Sequence, residues 1–415
     1  MNACRRLSLL LLATLVLGHA STTSARRVVG QVVYEDQSPD LFQITGFDGV
    51  MVERPIRFAD VQVFDTTLTT LLGEGQTDEN GNFAIELLDH PDIRGTFPAG
   101  TVRITATSAN HPVVAGQHQV TGVVAVDSFA PDGVPYTLDF PFSGFAECGE
   151  PVAPCSADID ANSIPQPAGT MPWIARMDDD LGKAFNIWDQ LQDTLDFLEA
   201  VGETRDSAGL MTLAYRSDHD SDSGTKYFYG NPDIFVGADE GYDDTVVLGQ
   251  LGAFLNDRFL RNDHTDLLLS APDDPQLQFD PRDEELLPRL AFAEGLVEAL
   301  SSAIRFNAGH PRPDQHVRTS GLSDGALTLR TESHEIETLT AGATALVGSR
   351  GLTNSAVVAS AIWDLFDVPA TDDQTPGTDD DPMSFTLLEV WAALKTAATA
   401  DRVFNLENLL FTFGA

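Results

Sequence analysis

The feature that most constrains the fold of this chain is a single change in the spacing of its apolar residues. Up to about residue 145, apolar and polar residues alternate in short runs, which is typical of β-strands with one buried face. After about residue 178, apolar residues recur at the spacing of long amphipathic helices. The 415 residues exceed the usual size of one domain. We therefore predict a multidomain protein with an N-terminal antiparallel β-sandwich and a C-terminal, mostly helical α+β domain.

Residues 1–25 have the order of a secretory signal peptide. An arginine pair at positions 5 and 6 precedes an apolar run over residues 9–17, and small residues follow around Ala20 and Ala25. Cleavage after either alanine fits this order. We expect a secreted or periplasmic protein. No other apolar run approaches the ~20 residues that cross a bilayer, so no membrane span is expected.

The chain is strongly acidic, with a formal net charge of −39 at pH 7. This charge repels nucleic acids and anionic membrane surfaces, so neither is an expected partner. Solubility in a salty exterior explains the excess of acids, and specific cation binding is the alternative. Calcium would suit two acidic loops, because it prefers several carboxylate oxygens. The candidate ligands are Asp218, Asp220, Asp222, Asp379, Asp380 and Asp381.

Two cysteines, Cys148 and Cys155, follow the signal segment and bracket a turn-forming run. In an oxidising compartment they can form a small disulfide. A metal site is the weaker alternative, because no histidine lies beside them. Both fall within residues 144–177, where prolines stand among small polar residues, and we predict a linker there.

Residues 27–143 contain strand-like runs at 28–34, 59–65 and 101–106, with β-branched residues in period-two alternation. The pair Asn80-Gly81 suits a tight turn, because Gly accepts a positive φ. Gly30, the 59–65 run and the Thr77 to Phe83 turn resemble the transthyretin-like, or carboxypeptidase regulatory-like, sandwich. This resemblance implies a non-catalytic accessory domain. Asp78 and Asn80 are interpreted as turn residues in preference to calcium ligands.

Residues 178–415 combine helices and short strands. Helical spacing predicts helices at 178–201, 246–259 and 288–300. Strands are predicted at 210–215, 225–229 and 233–237, the last as an edge strand. The acids within the first helix lie between its apolar positions, as they do in an amphipathic helix.

Four places in this second part resemble the gluzincin metallopeptidases, and particularly secreted bacterial proteins with a sandwich in front. The run from Tyr242 to Leu248 stands where the chain enters the zinc helix, and Asn262-Asp263-His264 stands where it leaves. Glu294-Gly295 matches the third zinc ligand, a Glu on the next helix. Residues 357–367 match a helix that ends in Trp-Asp-Leu-x-Asp. The resemblance covers about residues 183–415 and implies a metallopeptidase-like fold.

The zinc motif itself is degenerate. By the same correspondence, Gly249 and Ala253 replace two zinc-binding histidines, and Gln250 replaces the catalytic Glu. Gly and Ala carry no donor atom, and a Gln amide takes no proton at a useful pH. Glu294 alone cannot hold Zn²⁺ in a three-ligand site. We therefore expect no catalytic residue and no zinc. The vestigial cleft comprises Gly249, Gln250, Ala253, Glu294 and His264.

Three other motifs are weaker candidates for a catalytic or metal site. The run His334-Glu335 begins like a zinc motif but ends in Thr338, so it supplies one imidazole. His310 and His316 lie in a proline-broken segment, where solvent-exposed loop histidines are the simpler interpretation. The run from Gly321 to Gly325 fits Gly-x-Ser-x-Gly, but a nucleophile elbow needs a strand before the Ser and a helix after it. A polar loop before it and a strand after it are predicted here.

The sequence favours a secreted, catalytically inactive metallopeptidase-like protein that binds a protein or peptide partner. One alternative is a zinc-dependent peptidase with a non-standard site that uses His264, Glu294 and other histidines. A further alternative is a calcium-dependent adhesive or structural extracellular protein. No cofactor is expected in the favoured interpretation, zinc belongs to the first alternative, and calcium stays open. The oligomeric state and the identity of the partner stay open as well.

Overall fold

The structure of the chain is a computed structural model. The described residues are 27–39, 47–87, 99–114, 117–125, 135–142, 159–160, 173–176, 181–209, 211–215, 226–227, 233–237, 240–260, 288–310, 315–322, 328–335, 355–363, 365, 385–400 and 409. The signal segment, Cys148 and Cys155 lie outside these ranges, so the predictions for them are unchanged.

The described residues of the N-terminal part form nine strands. They are β1 (Arg27–Pro39), β2 (Phe47–Pro55), β3 (Asp60–Asp65), β4 (Leu71–Gln76), β5 (Asn82–Glu86), β6 (Gly100–Thr105), β7 (Thr107–Val114), β8 (Gln117–Ala125) and β9 (Thr137–Phe142). Two short strands follow in the predicted linker, β10 (Ile159–Asp160) and β11 (Trp173–Ala175). Both pair in parallel with β1, so this segment contributes to a sheet.

The remaining elements lie in the C-terminal part. The strands are β12 (Met211–Tyr215), β13 (Lys226–Tyr227), β14 (Asp233–Val236), β15 (Gln315–Leu322) and β16 (Thr328–Glu335). The helices are α1 (Leu181–Ala200), α2 (Asp244–Leu255), α3 (Pro288–Asn307), α4 (Ser355–Trp363) and α5 (Leu387–Ala400), with a 3-10 helix at Arg205–Ala208 and a π-helical turn at Asn256–Leu260. No helix among the described residues combines the length and apolar character that crossing a membrane requires.

Two sheets form the N-terminal part. β1 is central to the first, where it pairs antiparallel with β2 and β5. The second has the antiparallel order β4-β3-β6-β9. Burial alternates along β3, β5, β6 and β9, as strands with one face on a core require. Antiparallel sheets at the N-terminus and helices at the C-terminus agree with the predicted α+β, multidomain class.

The Asn80-Gly81 turn forms as predicted, between β4 and β5. Gly81 has a φ of +71°, and the Asp78 carboxylate accepts hydrogen bonds from the backbone N–H groups of Asn80 and Asn82, both at 2.8 Å. These are the contacts of a side chain that closes a turn. They support the interpretation of Asp78 as a turn residue.

A third sheet joins the two parts of the chain. Its order is β13-β14-β12-β8-β7, with β8, β12 and β14 parallel and with β7 and β13 antiparallel at its edges. The hairpin β7–β8 comes from the N-terminal part, whereas the other three strands follow α1. Residues 107–125, assigned from sequence to the sandwich range, thus complete a sheet of the C-terminal part.

Helix α1 lies at the centre of these layers, in contact with β1, β8, β11, α2 and α3. Fifteen of its 20 residues are buried, including Trp188 and Leu191 at 0% exposure. The buried set also contains Asp189 and Asp193. A helix buried on nearly every side is more enclosed than the predicted amphipathic helix, whose polar face would meet solvent. Its acids therefore need partners inside the protein.

Candidate functional site

Helix α2 begins where the sequence places the entry to the zinc helix. Asp243 is its N-cap, and one carboxylate oxygen accepts a hydrogen bond from the Val246 N–H at 3.1 Å. This contact satisfies one of the free N–H groups of the first turn. The next residue, Asp244, is 2% exposed and accepts a bond of 2.9 Å from Asn186 of α1. Burial raises the pKa of Asp244 well above its usual range, and nearby Asp36 adds to this rise.

Gly249 and Ala253, which the resemblance places where two zinc-binding histidines would be, lie on α2 in different surroundings. Gly249 is half-buried, and a Cβ atom built on it would meet no atom within 4 Å. Ala253 is 7% exposed. Neither side chain can bind a metal. The face of the helix at Gly249 is therefore open, whereas the next turn is packed.

Gln250, which the resemblance places at the position of a catalytic Glu, has a structural role. Its Oε1 accepts a hydrogen bond from the backbone N–H of Tyr227 in edge strand β13, at 2.7 Å. The Tyr227 hydroxyl donates to Asp257 at 2.7 Å, and its ring stands edge-on to Phe254 with centroids 5.8 Å apart. Gln250, Phe254 and Asp257 are spaced by four and three residues, so they share one helical face. This face holds β13 against α2.

Glu294 lies on α3, the helix that packs against α2. The contact is close at Gly252, where an added Cβ would lie 2.9 Å from the Val297 carbonyl oxygen. Glu294 stands one turn before Val297, is half-buried and is engaged by a neighbouring group. The structure thus packs α2 against α3, and Glu294 has an interaction partner.

Several predicted site residues lie outside the described part of the chain. They are His264, Asp218, Asp220, Asp222, Asp379, Asp380 and Asp381. Calcium binding at the acidic loops stays a prediction. Within the ranges that are described, no three His, Cys, Asp or Glu side chains are placed so that they could share a metal ion.

The remaining histidines have places that the sequence did not predict. His316 and His334 are directly opposite each other in the antiparallel pair β15–β16, so the backbone of His316 is a strand and not a loop. The side chain of His310 is only 12% exposed. The prediction of a solvent-exposed loop histidine was therefore wrong for His310, because the end of α3 packs against α1.

Only the first two residues of the Gly-x-Ser-x-Gly run, Gly321 and Leu322, are described, and they end strand β15. Gly321 pairs with Leu329 inside the hairpin, and Leu322 pairs with Thr328 as its last described pair. A strand precedes the Ser, where the sequence predicted a loop. A strand also follows it, as predicted, whereas a nucleophile elbow requires a helix there.

The strongest polar cluster of the described residues was missed by the sequence analysis. Arg57, from the turn between β2 and β3, contacts three acids of α1. Its Nε donates to Asp189 at 2.6 Å, its Nη2 donates to Asp193 at 2.5 Å, and its Nη1 lies 3.4 Å from Asp196. The guanidinium is 18% exposed, so these bonds form in a largely enclosed site.

The turn that carries Arg57 is fixed on both sides. Trp188 of α1 donates its indole N–H to the Arg57 carbonyl oxygen at 2.7 Å, and Ile56 N–H donates to Val32 at 3.1 Å. Phe58 has a φ of +54°, an unfavourable left-handed conformation for a bulky residue. The Arg205 guanidinium lies 5.5 Å from the Phe58 ring centroid. These contacts explain how the strained turn is held.

Asp189 is the most perturbed acid of this cluster. Its Oδ2 accepts a hydrogen bond of 2.9 Å from the Tyr34 hydroxyl, while Oδ1 binds Arg57. Burial and the nearby Asp193 carboxylate raise the pKa of Asp189 to about 6, although the bonds from Arg57 and Tyr34 lower it. A sequence signal existed, because Asp189, Asp193 and Asp196 share one face of α1, where like charges repel unless a cation lies between them.

Comparisons with known proteins leave the family open. No protein-family model matches the chain, and no curated protein matches it. Among solved structures, a 9R-lipoxygenase from Cyanothece PCC8801 matches with a TM-score of 0.17 and 13% identity, over 65% of this chain and 26% of that chain. This chain therefore spans about a quarter of the lipoxygenase's length. A likeness this low carries no argument about fold or activity.

Proposed function

We propose that this chain is a secreted, metallopeptidase-like protein without peptidase activity that acts by binding a protein or peptide partner. The observation that carries the proposal is the bond from Tyr227 N–H to Gln250 Oε1, at 2.7 Å. A catalytic Glu at this position must reach a metal-bound water. Here the side chain joins a helix to a strand, which is a structural task.

The neighbouring positions support the same proposal. A catalytic zinc site takes three protein ligands and leaves a fourth position for water. Gly249 and Ala253 supply no donor atom, and Glu294 already has a partner. With the two histidines absent, the geometry retained by α2, α3 and β13 can serve contact with a partner but not hydrolysis. The transthyretin-like identity of the N-terminal sheets belongs to the same proposal, as an accessory binding unit.

The first test measures metal content and peptide cleavage on the purified chain. We expect less than about 0.1 zinc per chain after dialysis against zinc-containing buffer, because one carboxylate binds zinc weakly. We also expect no cleavage of an unstructured protein such as casein. Stoichiometric zinc together with chelator-sensitive cleavage would establish the alternative, a peptidase with a non-standard site.

A second test asks whether Gly249, Gln250 and Ala253 of α2 occupy the positions of a former zinc site. The triple variant Gly249→His, Gln250→Glu, Ala253→His restores two ligands and the base, with Glu294 as the third ligand. We expect it to bind about one zinc per chain. The control adds Glu294→Ala to the triple variant and should weaken zinc binding about 10- to 100-fold. Equal zinc affinity with and without Glu294 would contradict the proposed resemblance.

A third test measures peptide binding directly. An array of unmodified peptides, read by fluorescence anisotropy, should contain sequences that bind the wild-type chain and remain intact over hours. If no peptide binds and no purified extracellular protein binds, the binding proposal fails while the absence of zinc stands.

A further inference from the structure

A charged cavity of about 190 Å³ lies where three elements meet, and no residue of α2 lines it. Arg54 and Arg57 line it from the end of β2 and the following turn, Asp189 and Asp193 line it from α1, and His310 lines it from the end of α3. This volume exceeds that of a single water site, which needs only ~10–15 Å³. The cavity is therefore large enough for a small organic ligand.

Arg54 supplies open hydrogen-bond donors on one side of the cavity. Its Nε donates to the Asp36 carboxylate at 2.5 Å. Its terminal nitrogens, Nη1 and Nη2, make no hydrogen bond to any residue that the structure describes, and the side chain is 36% exposed. Two free N–H groups of a guanidinium form a fork that suits a carboxylate.

Asp193 supplies an open acceptor within the same cavity. Its Oδ1 is held by Arg57, whereas Oδ2 lies 3.8 Å from His310 Nε2, too far for a hydrogen bond. The side chain as a whole is 7% exposed. Asp189 differs, because both of its oxygens are bonded. Asp193 is thus the carboxylate available to a ligand.

His310 is fixed at the mouth of the cavity by the end of α3. Gly309 has a φ of +74°, and His310 N–H donates to the Arg305 carbonyl oxygen at 3.0 Å, as in a Schellman motif. The backbone of His310 is therefore fixed, and its side chain lines the cavity. A neutral imidazole carries one donor and one acceptor, so it can bond a polar ligand or bridge it to Asp193.

The charges around the cavity select the class of ligand. Its lining holds two guanidiniums and two carboxylates. Behind the lining, Asp36 and Asp196 add negative charge, and Arg205 offsets part of it. These acids disfavour a simple anion, while Arg54 disfavours a simple cation. A ligand with a carboxylate and an ammonium group can satisfy both open sites.

We propose that this cavity binds a free amino acid or an amino carboxylate of similar size. The ligand carboxylate accepts hydrogen bonds from Arg54, and its ammonium group donates to Asp193 Oδ2, with His310 beside that contact. This binding site goes beyond the proposed function and does not depend on whether α2 once held zinc.

The test is calorimetric titration of the full mature chain with glycine, β-alanine and γ-aminobutyrate, which differ only in the spacing of their charged groups. We expect one of the three to bind most tightly. Its N-acetyl derivative and its amide each lack one charge, and each should bind about tenfold more weakly or worse, because one charge-assisted hydrogen bond is lost. Absence of heat from all three, or equal binding by the derivatives, would overturn the proposal.

Variants then locate the site. Asp193→Asn should weaken the best ligand about tenfold, and Arg54→Gln should weaken it similarly. The matched control, Asp139→Asn, removes a carboxylate of β9 that pairs with Arg103 outside the cavity, and it should change the affinity less than about twofold. Circular dichroism and the melting temperature confirm that each variant is folded. If Asp139→Asn weakens binding as much as Asp193→Asn does, the ligand is responding to general charge and the proposed site is wrong.

Discussion

At the scale of single residues, Arg57 explains how three acids can share one face of a buried helix. Carboxylates three and four residues apart repel each other, and a charge buried without a partner costs several kcal/mol. Arg57 lies within 3.4 Å of Asp189, Asp193 and Asp196, and Arg205 also binds Asp196, at 2.5 Å. The positive charge of the guanidinium therefore offsets the repulsion among the three carboxylates, so that α1 can pack against the N-terminal sheets.

The raised pKa of Asp189 predicts a pH dependence of stability. The folded pKa is about 6 and the unfolded value is 3.8, so the folded state binds more protons between them. The contribution of Asp189 is fully present below the unfolded value and is lost as pH rises through about 6. We expect Asp189→Asn to remove this loss, which amounts to about 3 kcal/mol at most.

Urea unfolding of the wild type and of Asp189→Asn, at intervals from pH 4 to pH 8, measures this pH dependence of stability. The difference between the two profiles isolates Asp189 from the other acids. If the free energy of unfolding depends on pH in Asp189→Asn as it does in the wild type, Asp189 has the same pKa in the folded and unfolded chain, and the prediction is wrong.

Leu68 offers a test of backbone strain. It lies in the turn between β3 and β4 with a φ of +57°, and 40% of it is exposed. An L-residue in this region costs about 1–2 kcal/mol, whereas Gly adopts it without penalty. We expect Leu68→Gly to raise the free energy of unfolding by about 0.5–1 kcal/mol, after the entropy cost of Gly. Urea unfolding measures it, and Leu68→Ala, which keeps the Cβ, is the control that should gain nothing.

Residue types alone showed that two positions of α2 carry no metal-binding atom, but they did not reveal the acidic cluster on α1. Gly249 and Ala253 have no donor atoms in any fold, so their incapacity follows from the sequence. The burial of Asp189 and Asp193 depends on Arg57, which is more than 130 residues away in the chain. A pairing over that distance leaves no periodic pattern, so the sequence analysis missed it.

At the scale of elements, α2 contains two glycines with opposite surroundings. Gly249 faces open space, whereas Gly252 lies where α2 and α3 are in closest contact. Gly normally weakens a helix by about 1 kcal/mol relative to Ala, so a glycine kept in a helix needs a packing reason. Gly252 has one in the Val297 carbonyl oxygen, 2.9 Å from its Cβ position.

This contrast gives a matched pair of substitutions on one helix. Gly252→Ala should destabilise the protein by about 1–3 kcal/mol, because α3 must move away from the new methyl group. Gly249→Ala should stabilise it by about 0.5–1 kcal/mol through helix propensity alone. Thermal or urea unfolding of the two variants checks both signs. A stabilising Gly252→Ala would mean that α2 and α3 are less closely packed.

The sequence predicted helices α1 to α3 and several strands, but it placed their ends less well. The predicted alternation of buried and less buried residues is present along β3 and β6, because each strand buries one face. Helix α2 was predicted from residue 246, but it begins at Asp244, because Asp243 caps it. The short strands β10 and β11 were not predicted, since two or three residues carry no period and pair only because β1 is beside them.

At the scale of the whole molecule, the two parts of the chain are joined by backbone pairing as well as by charge. Strand β8 pairs in parallel with β12, from Met211 opposite Gly122 to Ala214 opposite Ala125. Parallel pairing uses the backbone donors and acceptors of both strands, so separation exposes them. The hairpin β7–β8 thus depends on a strand that follows α1.

This dependence predicts the behaviour of a fragment that ends at residue 143. In residues 27–143 alone, β8 lacks β12, and we expect the amides of Gln117–Ala125 to exchange at least about tenfold faster than in the chain from residue 27 to 415. The amides of β3 and β6 should keep most of their protection, because their partners lie within the fragment. Hydrogen exchange read by mass spectrometry measures both regions in one experiment. Equal protection of 117–125 in fragment and full chain would contradict the shared sheet.

The sequence by itself determined the α+β class, the turn at Asn80-Gly81, and the absence of metal-binding atoms at two positions of α2. These follow from local periodicity and from side-chain chemistry, which do not depend on distant partners. Only the tertiary structure decided that Gln250 holds β13, that Arg57 lies among three acids, and that β8 completes a sheet with β12. Such contacts join residues far apart in the chain, and burial, which sets their strength, exists only after folding.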